Sequence, residues 1–319
     1  MKHPPYPLRA NKAVDRFMLI EAIRRLGGPS ELAQYTYFGL GGPYLEEFRL
    51  LHESFPELKM VSLERDAQTF KRQRFHQPSG PIRLRHVDFK SFLARYDSGD
   101  KKSIFWLDYH ELEYWQFGDL MSLLGKVSAG SLVKITLRSE PSDYIGRDKQ
   151  DQGEKDNEFR AKFGAILPRA DAAPPTELER FAGLLQEMVQ IAAQKALPSG
   201  TGFVYQPISS FCYKDGDGIF TLTGIVCERS RLKSVRNRFS SWAFANLDWD
   251  GPTLIDVPFL STKERLHLQK HLPCGQDAGR RLLRVLGYRV DVDRARAVAK
   301  MKQYADFYRY YPLFVRAIP

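Results

Sequence analysis

Hydrophobic positions along the first 140 residues follow two alternating rhythms. Residues 12–26, KAVDRFMLIEAIRRL, carry apolar side chains at helical spacing and stop before Gly27-Gly28-Pro29. TYFG (36–39) reads as a strand, and PYLEEFRLLHESF (43–55) as a helix with Pro43 in its first turn. The exchange repeats with KMVSLE (59–64) before RDAQTFKRQRF (65–75) and IRLRHVDF (82–89) before SFLARY. SIFWLDY (103–109) precedes a helix near 117–127, and SLVKITL (131–137) is the fifth strand. SIFWLDY is almost continuously apolar, the pattern of a strand covered on both faces. Strands and helices in this order predict an α/β fold with a mostly parallel sheet.

The pattern then changes. Residues 138–176 are polar and contain several prolines, which predicts a loop excursion over the carboxyl edge of the sheet. TELERFAGLLQEMVQIAAQKAL (176–197) is a long amphipathic helix, with Thr176 as its expected cap and Glu179 three residues later. GFVYQPISSFCY (202–213) and IFTLTGIVCE (219–228) flank Asp-Gly-Asp-Gly and predict an antiparallel hairpin closing the sheet. Residues 1–228 thus form one expected domain, and 229–319 a mainly helical extension containing STKERLHLQKHL (261–272) and VDRARAVAKMKQYADFYRYY (292–311). The stretch LSTKERLHLQKHL has the form of one half of a helix-turn-helix.

No stretch of the 319 residues approaches the roughly 20 apolar positions of a membrane span, so no membrane partner is expected. MKHPPYPLRANK has no apolar targeting core. Three cysteines without a CxxC pair argue against a disulfide framework and against a structural metal. A cytoplasmic setting is the expectation. The net charge is +10, and residues 229–319 hold 18 Lys+Arg against 8 Asp+Glu, which is the whole surplus. Such asymmetry points to a polyanionic partner, nucleic acid first. Composition says nothing of oligomeric state.

Candidate chemistry begins at YFGLGGPYLEEF, where Gly39, Gly41 and Gly42 stand between a strand and a helix. Glycines there let the backbone turn tightly and crowd a nucleotide-like ligand. The next strand ends in Glu64, 23 residues after Gly41, where a carboxylate can accept ribose hydroxyls. The third strand ends at Asp88 and the fourth at Asp108, on the edge where open α/β sheets hold their ligands. GLGGPY does not have the GxGxxG spacing of a dinucleotide fold.

This order resembles the class I S-adenosylmethionine-dependent methyltransferases over roughly residues 30–228. The resemblance implies a Rossmann-like sheet closed by an antiparallel hairpin. It implies S-adenosylmethionine as cofactor, with Gly39, Gly41 and Gly42 at its methionine part, Glu64 at its ribose, Asp88 at its adenine and Asp108 facing the methyl acceptor. Tyr37 stands where the family loop usually has an acid, and Pro43 where it has a further glycine. RANKAVDR, YFGLGGPYLEEF, MVSLERD, FWLDY and FYRYYPLF together look like a bacterial group labelled as O-methyltransferases.

Methyl transfer to a hydroxyl needs positioning and a way to take the proton. Lys134 inside the apolar strand SLVKITL is uncommon, because an ammonium is costly to bury without a partner. Asp108, at the edge of the neighbouring strand, is the expected partner. AGSLVKITL resembles the fifth strand of the ribose 2′-O-methyltransferases of the ribosomal-RNA heat-shock type, whose Lys-Asp-Lys-Glu tetrad activates a hydroxyl. Lys12, Asp108 and Lys134 fit its first three places, and the closing hairpin lacks the fourth. LDYHEL lacks the prolines of the amino-methylating enzymes, but leaves Tyr109 as a stacking platform and His110 as a base or surface residue.

The densest basic run is RSRLKSVRNR, in which Arg231, Lys233, Arg236 and Arg238 are the expected phosphate contacts. The final helix interleaves cations with Tyr304, Phe307, Tyr308 and Tyr310, a composition that suits base stacking or, equally, packing on a core. The sequence therefore predicts a methyltransferase acting on RNA or DNA. Its rivals are the same chemistry on a small molecule or protein, and a non-catalytic module that binds nucleic acid or a partner protein.

Overall fold

The computed structural model describes residues 9–312 except 147, 170 and 172. The leading MKHPPYPL and the end of FYRYYPLF lie outside the described residues. In chain order, helix α1 (Ala10–Arg24) and the short α2 (Pro29–Leu32) precede β1 (Tyr35–Gly39). Then follow α3 (Glu46–Ser54), β2 (Lys59–Glu64), α4 (Ala67–His76), β3 (Ile82–His86), α5 (Phe89–Arg95), β4 (Lys102–Asp108), α6 (Tyr114–Leu124) and β5 (Leu132–Arg138). These are the alternating strands and helices that the hydrophobic rhythm predicts. Helices α7 (Lys149–Phe163) and α8 (Leu178–Ala196) lead into the hairpin β6 (Phe203–Asp215) and β7 (Asp217–Glu228). The remainder holds α9 (Leu232–Phe239), β8 (Thr253–Ile255), α10 (Thr262–Gln269), α11 (Ala278–Leu286) and α12 (Arg294–Phe307).

The strand order is β3-β2-β1-β4-β5-β7-β6-β8. The first five strands pair in parallel, and β7 runs antiparallel to β5. This is the Rossmann-like sheet closed by an antiparallel hairpin that the resemblance implies. Its register sets one row across five strands: Ser62, Gly39, Trp106, Lys134 and Thr223. Two residues further along, Glu64 and Asp108 end their strands on the same face, with Thr136 of β5 opposite Asp108.

Two expectations are corrected. The 138–176 segment is not an open loop: it contains α7, whose Phe159 and Phe163 are fully buried and pack with Tyr144, Phe117 and Phe181. Helix α8 starts one residue later than expected, with Glu177 and not Thr176 at its cap position and no side-chain cap bond. The basic run after the hairpin leads into α9, in keeping with a mainly helical extension.

The chain divides into two compact units. One comprises residues 19–212 and 218–253, with the parallel strands and their helices; the other comprises 1–18, 213–217 and 254–319. In the second unit, the hairpin tip clasps the start of α1. Asp215 Oδ2 accepts from the Lys12 backbone N–H (2.8 Å), and its Oδ1 from the Asn11 side-chain amide (3.0 Å). Asn11 Oδ1 in turn accepts from Val257 N–H at 2.9 Å. No helix of the described residues is long and apolar enough to cross a membrane.

Candidate active site

The glycine loop is fixed from below. Ser62 Oγ donates to Gln73 Oε1 (3.2 Å), and Gln73 Nε2 donates to the Gly42 carbonyl (2.9 Å). Gly41 takes φ +52°, and a Cβ there would meet Ser62 Oγ at 2.4 Å and Gln73 Nε2 at 3.0 Å. Only glycine fits that turn. Gly42 has φ +51° but faces open space, with no described atom within 4 Å of a Cβ built on it. A Cβ on Gly39 would strike the Tyr37 hydroxyl at 2.6 Å. The loop thus packs tightly through Gly39 and Gly41 and presents open backbone at Gly42. Tyr37, at the position of the usual acid, is fully buried and edge-on to Phe48. Helix α3 begins with Glu46 and Glu47, which would repel a pyrophosphate and suit a cationic ligand.

Glu64 is half-buried at the end of β2. Its Oε1 accepts from Asp66 N–H at 2.7 Å, while Oε2 has no hydrogen-bond partner among the described residues. Desolvation by burial raises its carboxyl above the ordinary glutamate value, against the pull of the backbone N–H groups of Asp66 and Arg65. Asp88 caps α5, accepting from Ser91 N–H at 2.8 Å. Hydrogen bonds from the Ser91 side chain and backbone hold its carboxyl below the usual range.

Asp108 ends β4 opposite Thr136. The next residue, Tyr109, is buried, donates to Asp119 Oδ2 (3.0 Å) and lies edge-on to Trp115 at 5.2 Å. Burial pushes its hydroxyl pKa far up. Tyr109 is therefore a packed residue, and its expected stacking surface is covered. Tyr114 and Trp115, a few residues on, face solvent instead, the latter 49% exposed. The EYW triplet at the start of α6 was the available signal for them. His110 is exposed and makes no hydrogen bond to a described residue.

Lys134 is 1% exposed. It stands opposite Trp106 rather than Asp108, with its Nζ 4.7 Å from the centre of the indole ring. Trp106 Nε1 donates to Thr136 Oγ1 at 2.9 Å, so the indole is held in place under the Asp108 row. Lys12 belongs to the other unit, where it is buried on α1 beside Asn11 and Asp15.

The basic run is partly committed to structure. Arg236 bonds the Leu247 carbonyl and Asp248, and Arg238 donates to the Leu26 carbonyl at 3.0 Å. Arg231 lies 3.6 Å from Glu228, and Lys233 is exposed. In the C-terminal unit Tyr304 and Phe307 are buried and pack a core, while Tyr308 and Tyr310 are partly exposed. Among the described residues no group of His, Cys, Asp and Glu could hold a metal ion.

Among solved structures, Trm1 from Pyrococcus horikoshii with S-adenosyl-L-methionine is similar at 12% identity and TM-score 0.48, over 72% of this chain. This chain spans only 59% of Trm1. A fibrillarin/Nop5p complex is similar at 11% identity and TM-score 0.36, over 60% of this chain and 71% of that one. The plantazolicin methyltransferase BamL is similar at 7% identity and TM-score 0.37, over 69% of this chain and 94% of that one. None of these likenesses bears on the substrate, and no curated protein matches the sequence. The family described as "Putative O-methyltransferase" matches residues 4–319. That match spans the sheet, the glycine loop and the C-terminal unit alike, and by it the chain belongs to this family.

Proposed function

We propose that the protein methylates a hydroxyl of a nucleic acid, the ribose 2′-hydroxyl of RNA being the hydroxyl available inside a strand. The observation that carries this reading is Lys134: a lysine fully buried in the fifth strand, in the row that starts at the glycine loop. Its desolvation costs several kcal/mol, on the order of that for any buried ion, and chemistry is a reason to bear it. The net charge of +10 supports a polyanionic substrate.

The residues fit the cofactor. Gly42 offers open backbone, Glu46 and Glu47 suit a cation, and Glu64 has a carboxylate oxygen for ribose hydroxyls. S-adenosylmethionine, when bound, supplies a methyl group on a sulfonium that departs as a neutral thioether. The acceptor O–H bond breaks as the O–CH3 bond forms, and Asp108 takes the proton before passing it to solvent. Lys134 stabilises negative charge that develops on the acceptor oxygen, by its own charge or by orienting the Asp108 carboxylate.

The test is incubation with methyl-labelled S-adenosylmethionine and, separately, total RNA, DNA, protein and small-molecule extract. Label that enters RNA and survives in alkali-resistant dinucleotides supports the reading, since a 2′-O-methyl blocks alkaline cleavage. Label confined to DNA, protein or small molecules overturns the substrate. A Lys134→Met protein that keeps the wild-type rate overturns the mechanism.

A further inference from the structure

We infer that the open face of the β2–β3 edge is a docking groove for single-stranded nucleic acid; this rests on the nucleic-acid reading above. Residues 65–95 hold eight Lys+Arg against two Asp, a basic cluster distinct from the C-terminal surplus. Helix α5 is only seven residues long. It packs Phe92 on Phe38 and leads into Tyr96, which also meets Phe38; Val61 of β2 is buried on this face, while Arg83 and Arg85 of the edge strand β3 stay exposed. The result is a cleft of roughly 710 Å³ with Phe38, Val61 and Tyr96 in its lining and Arg83, Arg85, Arg95 and Lys101 around them. That volume lies within the range of pockets that hold ligands, ~300–1,000 Å³.

The register gives the groove its order. Arg83, Val61 and Phe38 stand in one row on three adjacent strands. The β3 arginine therefore lies about 10 Å from the aromatic floor. Arg83 and Arg85 point to the same side of an edge strand, about 6.6 Å apart along it. Both are exposed, and neither they, Arg95 nor Lys101 forms an ion pair with another described residue. Asp97, the acid in the lining, is turned to the backbone and accepts from Gly99 N–H at 3.0 Å. Arginines spaced along an edge track successive phosphates, and partly exposed aromatic rings between them receive base faces. A duplex hides those faces, so the occupant is an unpaired strand.

The experiment uses full-length protein and fluorescein-labelled oligo(U), with binding followed by anisotropy across a salt series. The comparisons are an Arg83→Ala/Arg85→Ala protein and an Arg231→Ala/Lys233→Ala protein. The β3 double variant should bind S-adenosylmethionine normally, which reports an intact fold. It should bind oligo(U) at least ~10-fold more weakly, with the slope of log affinity against log salt reduced by about 1.4. Unchanged affinity and slope in that variant, with wild type binding well, overturns the groove and leaves the nucleic-acid reading standing. Loss confined to the Arg231/Lys233 variant does the same. Uridine monophosphate competing as strongly as the oligonucleotide overturns a strand as the occupant. No binding of any oligonucleotide by wild type removes both the groove and the nucleic-acid substrate.

Discussion

Lys134 stands directly across the β4–β5 pair from Trp106, its ammonium over the indole and Val133 and Ile135 on either side of it in the strand. Indole faces attract cations, and desolvation strengthens that attraction. Lys134→Met keeps the volume and removes the charge. Methyl transfer is expected to fall ~10²-fold or more, with S-adenosylmethionine affinity within a few-fold of wild type. Lys134→Arg is not expected to restore activity, because a planar guanidinium does not occupy the place of a compact ammonium. Single-turnover rates and calorimetry on both variants check this.

Gly41 and Gly42 share nearly the same φ and differ in their surroundings. Gly41→Ala bears left-handed strain of about 1–2 kcal/mol plus overpacking of about 1–3 kcal/mol against Ser62, Leu45 and Gln73. Gly42→Ala bears the strain alone. Thermal melts should therefore separate the two, with Gly41→Ala clearly less stable. The cofactor affinity of Gly42→Ala should drop by more than its modest loss of stability suggests.

Glu64→Ala should weaken S-adenosylmethionine binding ~10-fold, the usual effect of losing a charge-assisted hydrogen bond. The pH dependence has a defined sign. Burial raises the folded carboxyl above its ordinary value, so the folded protein holds this proton more tightly than the unfolded chain. Stability due to Glu64 falls as pH rises from the ordinary glutamate value through the raised one, and is level above it. Cofactor affinity rises over the same window as the carboxylate forms. Glu64→Gln should flatten both curves, measured by melting and calorimetry.

Asp215→Ala removes two acceptors from the first turn of α1 at once. A loss of about 2 kcal/mol is expected, at the upper end for a helix cap. Denaturant unfolding measures it. Asp215→Asn keeps one carbonyl acceptor and should recover part of the loss.

The sheet was legible because its strands are short apolar runs set between helices with clear breakers, as in SIFWLDY between SFLARY and the α6 segment. Glu64, Asp88 and Asp108 were legible because strand ends can be counted. Helix α7 was not, since KQDQGEKDNEFRAKF is polar on nearly every side and buries little beyond Phe159 and Phe163. The burial of Tyr109 depends on Asp119 and Trp115, which meet it only in three dimensions. The basic β3 edge was masked by arithmetic: acids elsewhere in residues 1–228 cancel its charge in a whole-domain sum.

The clasp at the hairpin tip also dictates an order of events during synthesis. Asn11 and Lys12 are bonded to a carboxylate more than two hundred residues downstream, and Asn11 also to Val257. A ribosome that has released the glycine loop and the first strands has not yet made these partners. The start of the first helix must wait through most of translation for its anchor. A nascent chain stopped before the hairpin would carry every parallel strand and still leave Lys12 without its setting.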